Sequence, residues 1–350
     1  MANSVVSKMV SLDPDCYVTD SFFELERETM WASSWVSVCR VEDVGEPGAF
    51  FTATVASEPV VVVRGNDGEL RGFGNVCPHR NATIMEEAGS ARALQCPYHL
   101  WTFRLDGTLA AAPDMAQATG FDPDDVCLPT VAVDTWNGWV FVNLDNAADA
   151  LGSQIRGLSE RVAPYELDSL RRAGTIHCEQ PWNWKITVEN FSESYHHAAV
   201  HPQTLQVTYP GQKSWVEDNH SEPWLWLDHV SVDDEIEPFA VAVAFPSHMF
   251  SIIRGLGMVW FRIEALGARE TRLDVELFLP PELCDDDDIV TGVLEALREI
   301  NDEDTLINER VAIGLNSRWA VAGHASHLER GCEQLRNWIT EQVATPTRFS

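Results

Sequence analysis

The sequence predicts an α+β protein: a small antiparallel β domain, then a larger domain whose helices cover one face of an antiparallel sheet. Three observations carry this. From Trp35 to about Leu144 the chain is a series of short β-branched runs broken by Gly, Pro, Asn and Asp. A second block of alternating strands begins near Trp224. After Asp286 the apolar spacing becomes helical.

In order, residues 1–34 form an N-terminal helical segment. YVTDSFFELERETMWASS (Tyr17 to Ser34) carries apolar residues at helical spacing behind a Thr19/Asp20 cap signal. Residues 35–150 are the β domain, with strands in WVSVC, FFTATV, PVVVVRG, GELRGFGNV, TVAVDT and WVFVNL and a turn at NDG (Asn66 to Gly68). DNAADALGS (Asp145 to Ser153) is the linker. Within 151–350, NWKITVENFSESYHHAAV (Asn183 to Val200) is expected to be one helix. Strands are expected in WLWLDHVSV, AVAVAF, MFSIIRG, MVWFRIEAL and TRLDVELFL. Helices are expected over Asp286 to Ala320 and Ser326 to Val343. The DDDD run (Asp285 to Asp288) suits a loop entering a helix N-terminus, where carboxylates meet the positive dipole end.

Hydrophobic residues make up 45% of the 350, enough for a packed core. No apolar run approaches the ~18 residues a membrane span needs, and the N-terminus lacks a signal peptide's apolar core. A soluble, cytoplasmic protein is expected. The charge of −30 leaves no basic footprint for phosphates and excludes a generic nucleic-acid binder. It describes a strongly solvated surface, or a field that attracts cations or a basic redox partner. Eight cysteines in a reducing compartment point to metal or catalytic roles where they cluster, not to a disulfide framework. Cys16, Cys39, Cys127, Cys178, Cys284 and Cys332 lack partner spacing and are expected to be small buried hydrophobes.

One cluster lies in the β domain: CPHRNATIMEEAGSARALQCPYHLWTF, Cys77 to Phe103. It pairs Cys77-x-His79 with Cys96-x2-His99, each Cys followed by a turn-stiffening Pro. A [2Fe–2S] centre with two Cys on one iron and two His on the other needs one Cys and one His from each hook. A Cys2His2 zinc site, the rival, usually pairs like with like. The pattern is similar to the Rieske motif, with HLWTF and Gly107 strengthening the match. Asn81 and Leu100 stand where many members of that family have Gly.

The other constellation is ESYHHAAVHP, Glu193 to Pro202. On a regular helix Glu193, His197 and His201 share a face, whereas His196 and His201 point apart. Pro202 disfavours the α conformation at His201, so spacing alone leaves His196 and His197 open.

NWKITVENFSESYHHAAVHP resembles the catalytic signature of Rieske non-heme iron ring-hydroxylating oxygenases, terminal (alpha) component. The resemblance implies a helix-grip (START-like) catalytic domain and a mononuclear Fe(II) on His196 and His201. His197 then supports the site, packs, or lines the substrate pocket. NDEDTLINERVAIGL (Asn301 to Leu315) is similar to the family helix that supplies a carboxylate, which points to Asp304, with Asp302 as rival. Such a 2-His-1-carboxylate set leaves positions open for O2 and substrate. The family also implies that Glu193 bridges the centres, between His99 of the partner subunit and His196, in a head-to-tail homotrimer. Electrons would come from NAD(P)H through a separate reductase or ferredoxin. The expected reaction is hydroxylation or dihydroxylation of an aromatic or other apolar ring. The alternative is oxidative demethylation or monooxygenation of a methylated amine such as a betaine or carnitine. An electron carrier without catalysis is the reading from another class. Trp215, Trp224, Trp226, Phe245, Phe250 and Trp260 are the expected pocket aromatics, as an apolar wall or as an ammonium cage.

Overall fold

The computed structural model describes residues 11–219 and 222–344. They divide into two compact units. One runs from Trp31 to Ser153; the other joins the described residues up to Met30 with those from Gln154 onward.

The N-terminal helices are α1 (Asp15–Val18) and α2 (Asp20–Glu26). The Thr19 hydroxyl accepts the Phe22 amide at 3.3 Å, so the cap signal in the sequence does the work of a cap. The smaller unit follows with β1 (Val36–Arg40), β2 (Ala49–Val55), β3 (Glu58–Arg64), β4 (Leu70–Gly74), β5 (Ala88–Ser90), β6 (Leu94–Gln95), β7 (Thr102–Phe103), β8 (Leu109–Ala111), β9 (Thr130–Trp136) and β10 (Trp139–Asn143). Seven of these form an antiparallel sheet in the order β1-β10-β9-β4-β3-β2-β5; β6, β7 and β8 form a second small sheet. Val60 to Val63 of β3 are all buried, each contributing on the order of 1.5–3 kcal/mol of apolar burial.

The larger unit contains α4 (Arg156–Val162), reached through the short α3 (Leu151–Gln154), then β11 (Arg171–Gln180), α5 (Trp184–Phe191), α6 (His197–Val200) and α7 (Leu205–Thr208). Six further strands follow: β12 (Trp215–Val216), β13 (Trp224–His229), β14 (Phe239–Ala244), β15 (His248–Ile253), β16 (Gly257–Gly267) and β17 (Glu270–Leu279). The helices α8 (Pro281–Cys284), α9 (Asp287–Leu315) and α10 (Arg330–Val343) close the unit. Its sheet is antiparallel throughout, ordered β11-β17-β16-β15-β14-β13-β12. Asp286, from the acidic run, accepts the Asp288 and Ile289 amides and starts α9. Among the described residues no helix is long and apolar enough to cross a membrane.

Two expectations change. The segment 183–200 is not one helix: α5 ends at Phe191 and a single turn, α6, begins at His197. The Ser192 hydroxyl donates back to the Val188 carbonyl at 2.6 Å, a local bond that competes with helix continuation. Of the six unclustered cysteines only Cys39 and Cys332 are fully buried, and Cys127 is exposed.

A buried charge pair fixes α5. Lys185 Nζ lies 2.6 Å from Glu26 Oε1, with both side chains wholly buried, and Trp184 Nε1 donates to the other oxygen of Glu26 at 3.2 Å. The ammonium also lies 5.1–5.5 Å from the ring centres of Trp184, Phe22 and Tyr17. Burial pushes Lys185 down and Glu26 up, and their mutual attraction opposes both shifts.

Candidate metal sites

In the smaller unit the two hooks are built alike. The Cys77 amide donates to the Ala82 carbonyl at 2.8 Å, and the Cys96 amide to the Trp101 carbonyl at 2.9 Å. Asn81 and Leu100 donate back to the carbonyls of Cys77 and Cys96 at 2.8 and 3.1 Å. Those two residues have φ of +56° and +61°, the left-handed region that glycine takes without strain, which explains why Gly is frequent there. Gly107 has φ +86°, and a Cβ there would sit 2.5 Å from the Phe73 ring. Cys77 and Cys96 are buried, and the His79 and His99 rings lie 4.7 Å apart. His79 stacks on Trp101 at 4.7 Å and 4°. His99 Nδ1 is buried with no hydrogen-bond partner among the described residues, an orphan that a metal would satisfy. Two thiols and two imidazoles on facing hooks fit a [2Fe–2S] cluster.

In the larger unit the break between α5 and α6 makes the second site. Glu193 stands in the break: its carboxylate accepts the Tyr195 amide and the His196 amide, and takes the His196 Nδ1–H at 2.6 Å. His201 Nδ1 donates to Glu303 Oε2 at 2.7 Å, and the Thr204 hydroxyl shares that oxygen at 2.6 Å. With both Nδ1 atoms committed, the Nε2 atoms face one carboxylate. Asp304 Oδ1 lies 3.0 Å from His201 Nε2 and 3.6 Å from His196 Nε2. The three side chains offer ligand atoms all within 4.8 Å of one another. This donor set, with its outer nitrogens held by carboxylates, fits a facial iron site. Burial opposes charge on His201, but Asp304 and Glu303 outweigh it and raise its pKa.

The helix break brings His196, not His197, together with His201 and Asp304. Glu193 holds His196 from outside the triad, and Asp302 is exposed. His197 is buried and donates Nδ1–H to the Tyr209 carbonyl at 3.2 Å. Its ring stacks on His229 at 5.2 Å and 11°. Burial, then the adjacent His196, pulls His197 down to about 4; burial and His197 hold His229 well below the ordinary value. Glu303 and Thr204 are the supporting residues that sequence reasoning did not single out. The only signal was the Glu preceding Asp304.

A cavity of about 240 Å³ opens at the triad. Its walls are the rows Ser251–Val259–Leu277 and Ile253–Gly257 of the sheet, the α9 face Val293, Leu297, Ile300, Asn301 and Asp304, and the segment from Asn190 to Tyr209. None of the six expected aromatics lines it. Trp226, Ala242, Phe250 and Trp260 form one cross-strand row, and directly opposed residues share a face. The neighbouring row Leu227–Val241–Ser251–Val259 therefore faces the other way, toward the triad. Trp224 and Phe245 are also buried core, and Trp215 is exposed. The cavity's own aromatics are Phe191, Tyr209, Phe239 and Phe261. A second cavity of about 280 Å³ shares Asn190, Glu193 and His196, and is walled by Ile307, Val311 and Leu315.

Known proteins share these two domains. Residues 34–132 match the Rieske [2Fe-2S] domain, and residues 167–237 and 222–345 match the ring hydroxylating alpha subunit (catalytic domain). The carnitine monooxygenase oxygenase subunit of Acinetobacter baumannii is 32% identical over 319 residues, covering 86% of this chain and 84% of that one. The glycine betaine monooxygenase oxygenase subunit of Chromohalobacter salexigens is 34% identical over 197 residues, 56% of this chain and 44% of that one. A quaternary ammonium Rieske monooxygenase solved with L-carnitine superposes with a TM-score of 0.85 at 27% identity, over 96% of both chains. These relatives favour the methylated-amine alternative over ring dihydroxylation. The chain belongs to the Rieske non-heme iron oxygenases, as a terminal oxygenase subunit with a [2Fe–2S] domain and a mononuclear-iron catalytic domain.

Proposed function

We propose that the enzyme monooxygenates a methylated quaternary ammonium compound, a reading carried by the substrates named for its relatives. Cys77, His79, Cys96 and His99 would hold the cluster, and His196, His201 and Asp304 the iron. When bound, the cluster supplies single-electron transfer and the iron activates O2.

The chain's own residues prepare that chemistry. Glu193 and Glu303 fix the tautomers of His196 and His201 by accepting both Nδ1 protons, leaving Nε2 free for ligation. The apolar walls exclude water from the reacting carbon. A trimethylammonium head has no N–H to satisfy and is attracted to aromatic faces. For oxidation at an N-methyl group, R–N(CH3)3⁺, O2, two electrons and two protons give R–N(CH3)2CH2OH⁺ and water. The carbinol then releases formaldehyde and a proton and leaves the tertiary amine. The electrons come from NAD(P)H through a reductase or ferredoxin.

A homotrimer completes the electron path, with His99 of the partner subunit meeting Glu193. Two exposed apolar sets support this: Tyr98 and Leu100 on one hook, and Leu306, Ile313, Trp319 and Val321, of which Val321 lines the second cavity. The test is O2 uptake by the loaded enzyme with a surrogate reductase. Stimulation by quaternary ammonium compounds, with stoichiometric oxidised product, is expected. Stimulation by aromatic hydrocarbons alone would overturn the reading.

A further inference from the structure

We infer that the substrate carries no carboxylate: the cavity takes a methylammonium head joined to an uncharged, apolar tail, unlike carnitine or glycine betaine. This rests on the quaternary-ammonium reading above and narrows it.

The head has a defined place. The Tyr209 and Phe239 rings meet at 87° with centres 4.7 Å apart, forming a corner. Phe239 stacks on His229 at 4.1 Å, and His229 on His197 at 5.2 Å. The His197 ring is 5.0 and 5.6 Å from those of His196 and His201. This run of rings leads from the triad to two perpendicular aromatic walls, the arrangement that suits a cation without hydrogen bonds to give.

The tail has no charged partner. Among the described residues lining the cavity none is Lys or Arg, and the only ionic groups besides histidine are Glu193 and Asp304, both committed to the triad histidines. The nearest cations in sequence are engaged elsewhere or exposed: Arg262, beside Phe261, pairs with Glu264, Asp274 and Glu276. Lys213 donates to the Ser231 carbonyl at 3.2 Å, Arg254 lies over the Tyr165 ring at 5.7 Å, and Arg298 is exposed. Leu297 and Val293 stand seven and eleven residues before Asp304 on α9, about 10 and 16 Å along the helix. There the wall is aliphatic, with Leu256, Met258 and Leu279. Asn301, the polar residue of that helix face, already donates its amide to Cys178 Sγ at 3.4 Å. A carboxylate buried here would be desolvated without a countercharge.

The test is equilibrium binding to the anaerobic holoenzyme, by calorimetry, with three probes on the same propyl spacer. These are γ-butyrobetaine, butyltrimethylammonium, and a neutral alcohol with tert-butyl in place of trimethylammonium. Butyltrimethylammonium is expected to bind at least about tenfold tighter than γ-butyrobetaine. Equal or tighter binding of γ-butyrobetaine overturns the inference and leaves the quaternary-ammonium reading standing. Binding of the neutral alcohol as tightly as butyltrimethylammonium overturns that reading while leaving carboxylate exclusion intact. Binding of none of the three overturns both.

Discussion

Replacing Glu303 by Ala removes the carboxylate that α9 sets against His201 Nδ1, on the opposite side of the ring from Asp304. His201 Nδ1 donates to Glu303 Oε2 at 2.7 Å, and the His201 side chain is fully buried, so the substitution takes away the acceptor of a buried N–H. A hydrogen bond to a charged group is worth about 1.5–3 kcal/mol, which is roughly 10- to 150-fold in an equilibrium constant. Outer carboxylates on metal-ligating histidines typically set about 10- to 100-fold of metal affinity. Both routes predict that Glu303→Ala weakens iron binding by about one to two orders of magnitude. Glu303→Gln keeps an oxygen acceptor and should retain most of the affinity. The assay is iron content after dialysis against graded chelator, with the visible spectrum of the cluster as internal control. Iron retention in Glu303→Ala equal to wild type would refute the role given to this carboxylate.

Glu193→Gln should keep both metals but lose coupled turnover, and near-normal activity would contradict a bridging role. Lys185→Ala leaves Glu26 buried and unpaired, so denaturant unfolding should show a loss of about 3–5 kcal/mol. The double variant Glu26→Gln/Lys185→Met should recover most of it; a single-variant loss below about 1 kcal/mol would mean the pair does not anchor α5. Leu100→Gly relieves a left-handed φ of +61° at a side chain that is more than half exposed. Strain relief of about 1–2 kcal/mol, less the glycine entropy cost of about 0.5–1 kcal/mol, predicts a small gain in thermal stability. A lower midpoint would argue against strain at that hook.

Much of the fold can be read from residue order because a β-branched or apolar run bounded by turn residues is a local signal. The strands of WVFVNL, AVAVAF and TRLDVELFL all form where the pattern places them. Strand β11 has no such signal, since only Ile176 and Gln180 of its ten residues are buried and its place is set by pairing with β17. The cluster hooks are legible because ligand types and spacing lie within one short segment. The iron site is harder to read. Asp304 is about a hundred residues from His201, and the helix break that turns His196 inward depends on Ser192 and Glu193 bonding to nearby backbone. The close approach of Gly211 to the Ser194 carbonyl, where a Cβ would lie at 2.0 Å, helps hold that break. The pocket aromatics were misplaced for a related reason. Sequence counts aromatic residues, but the strand register decides which row faces the triad, and both faces of this sheet are apolar.

The most direct test of the oxygen-activating site is Asp304→Ala, measured for iron content and substrate-stimulated O2 uptake in the same preparation. Asp304 supplies the carboxylate oxygen between two imidazole nitrogens, at 3.0 and 3.6 Å. The expected result is loss of the mononuclear iron and of stimulated uptake, with the cluster spectrum unchanged. Full iron content with wild-type uptake would contradict the assignment of the triad.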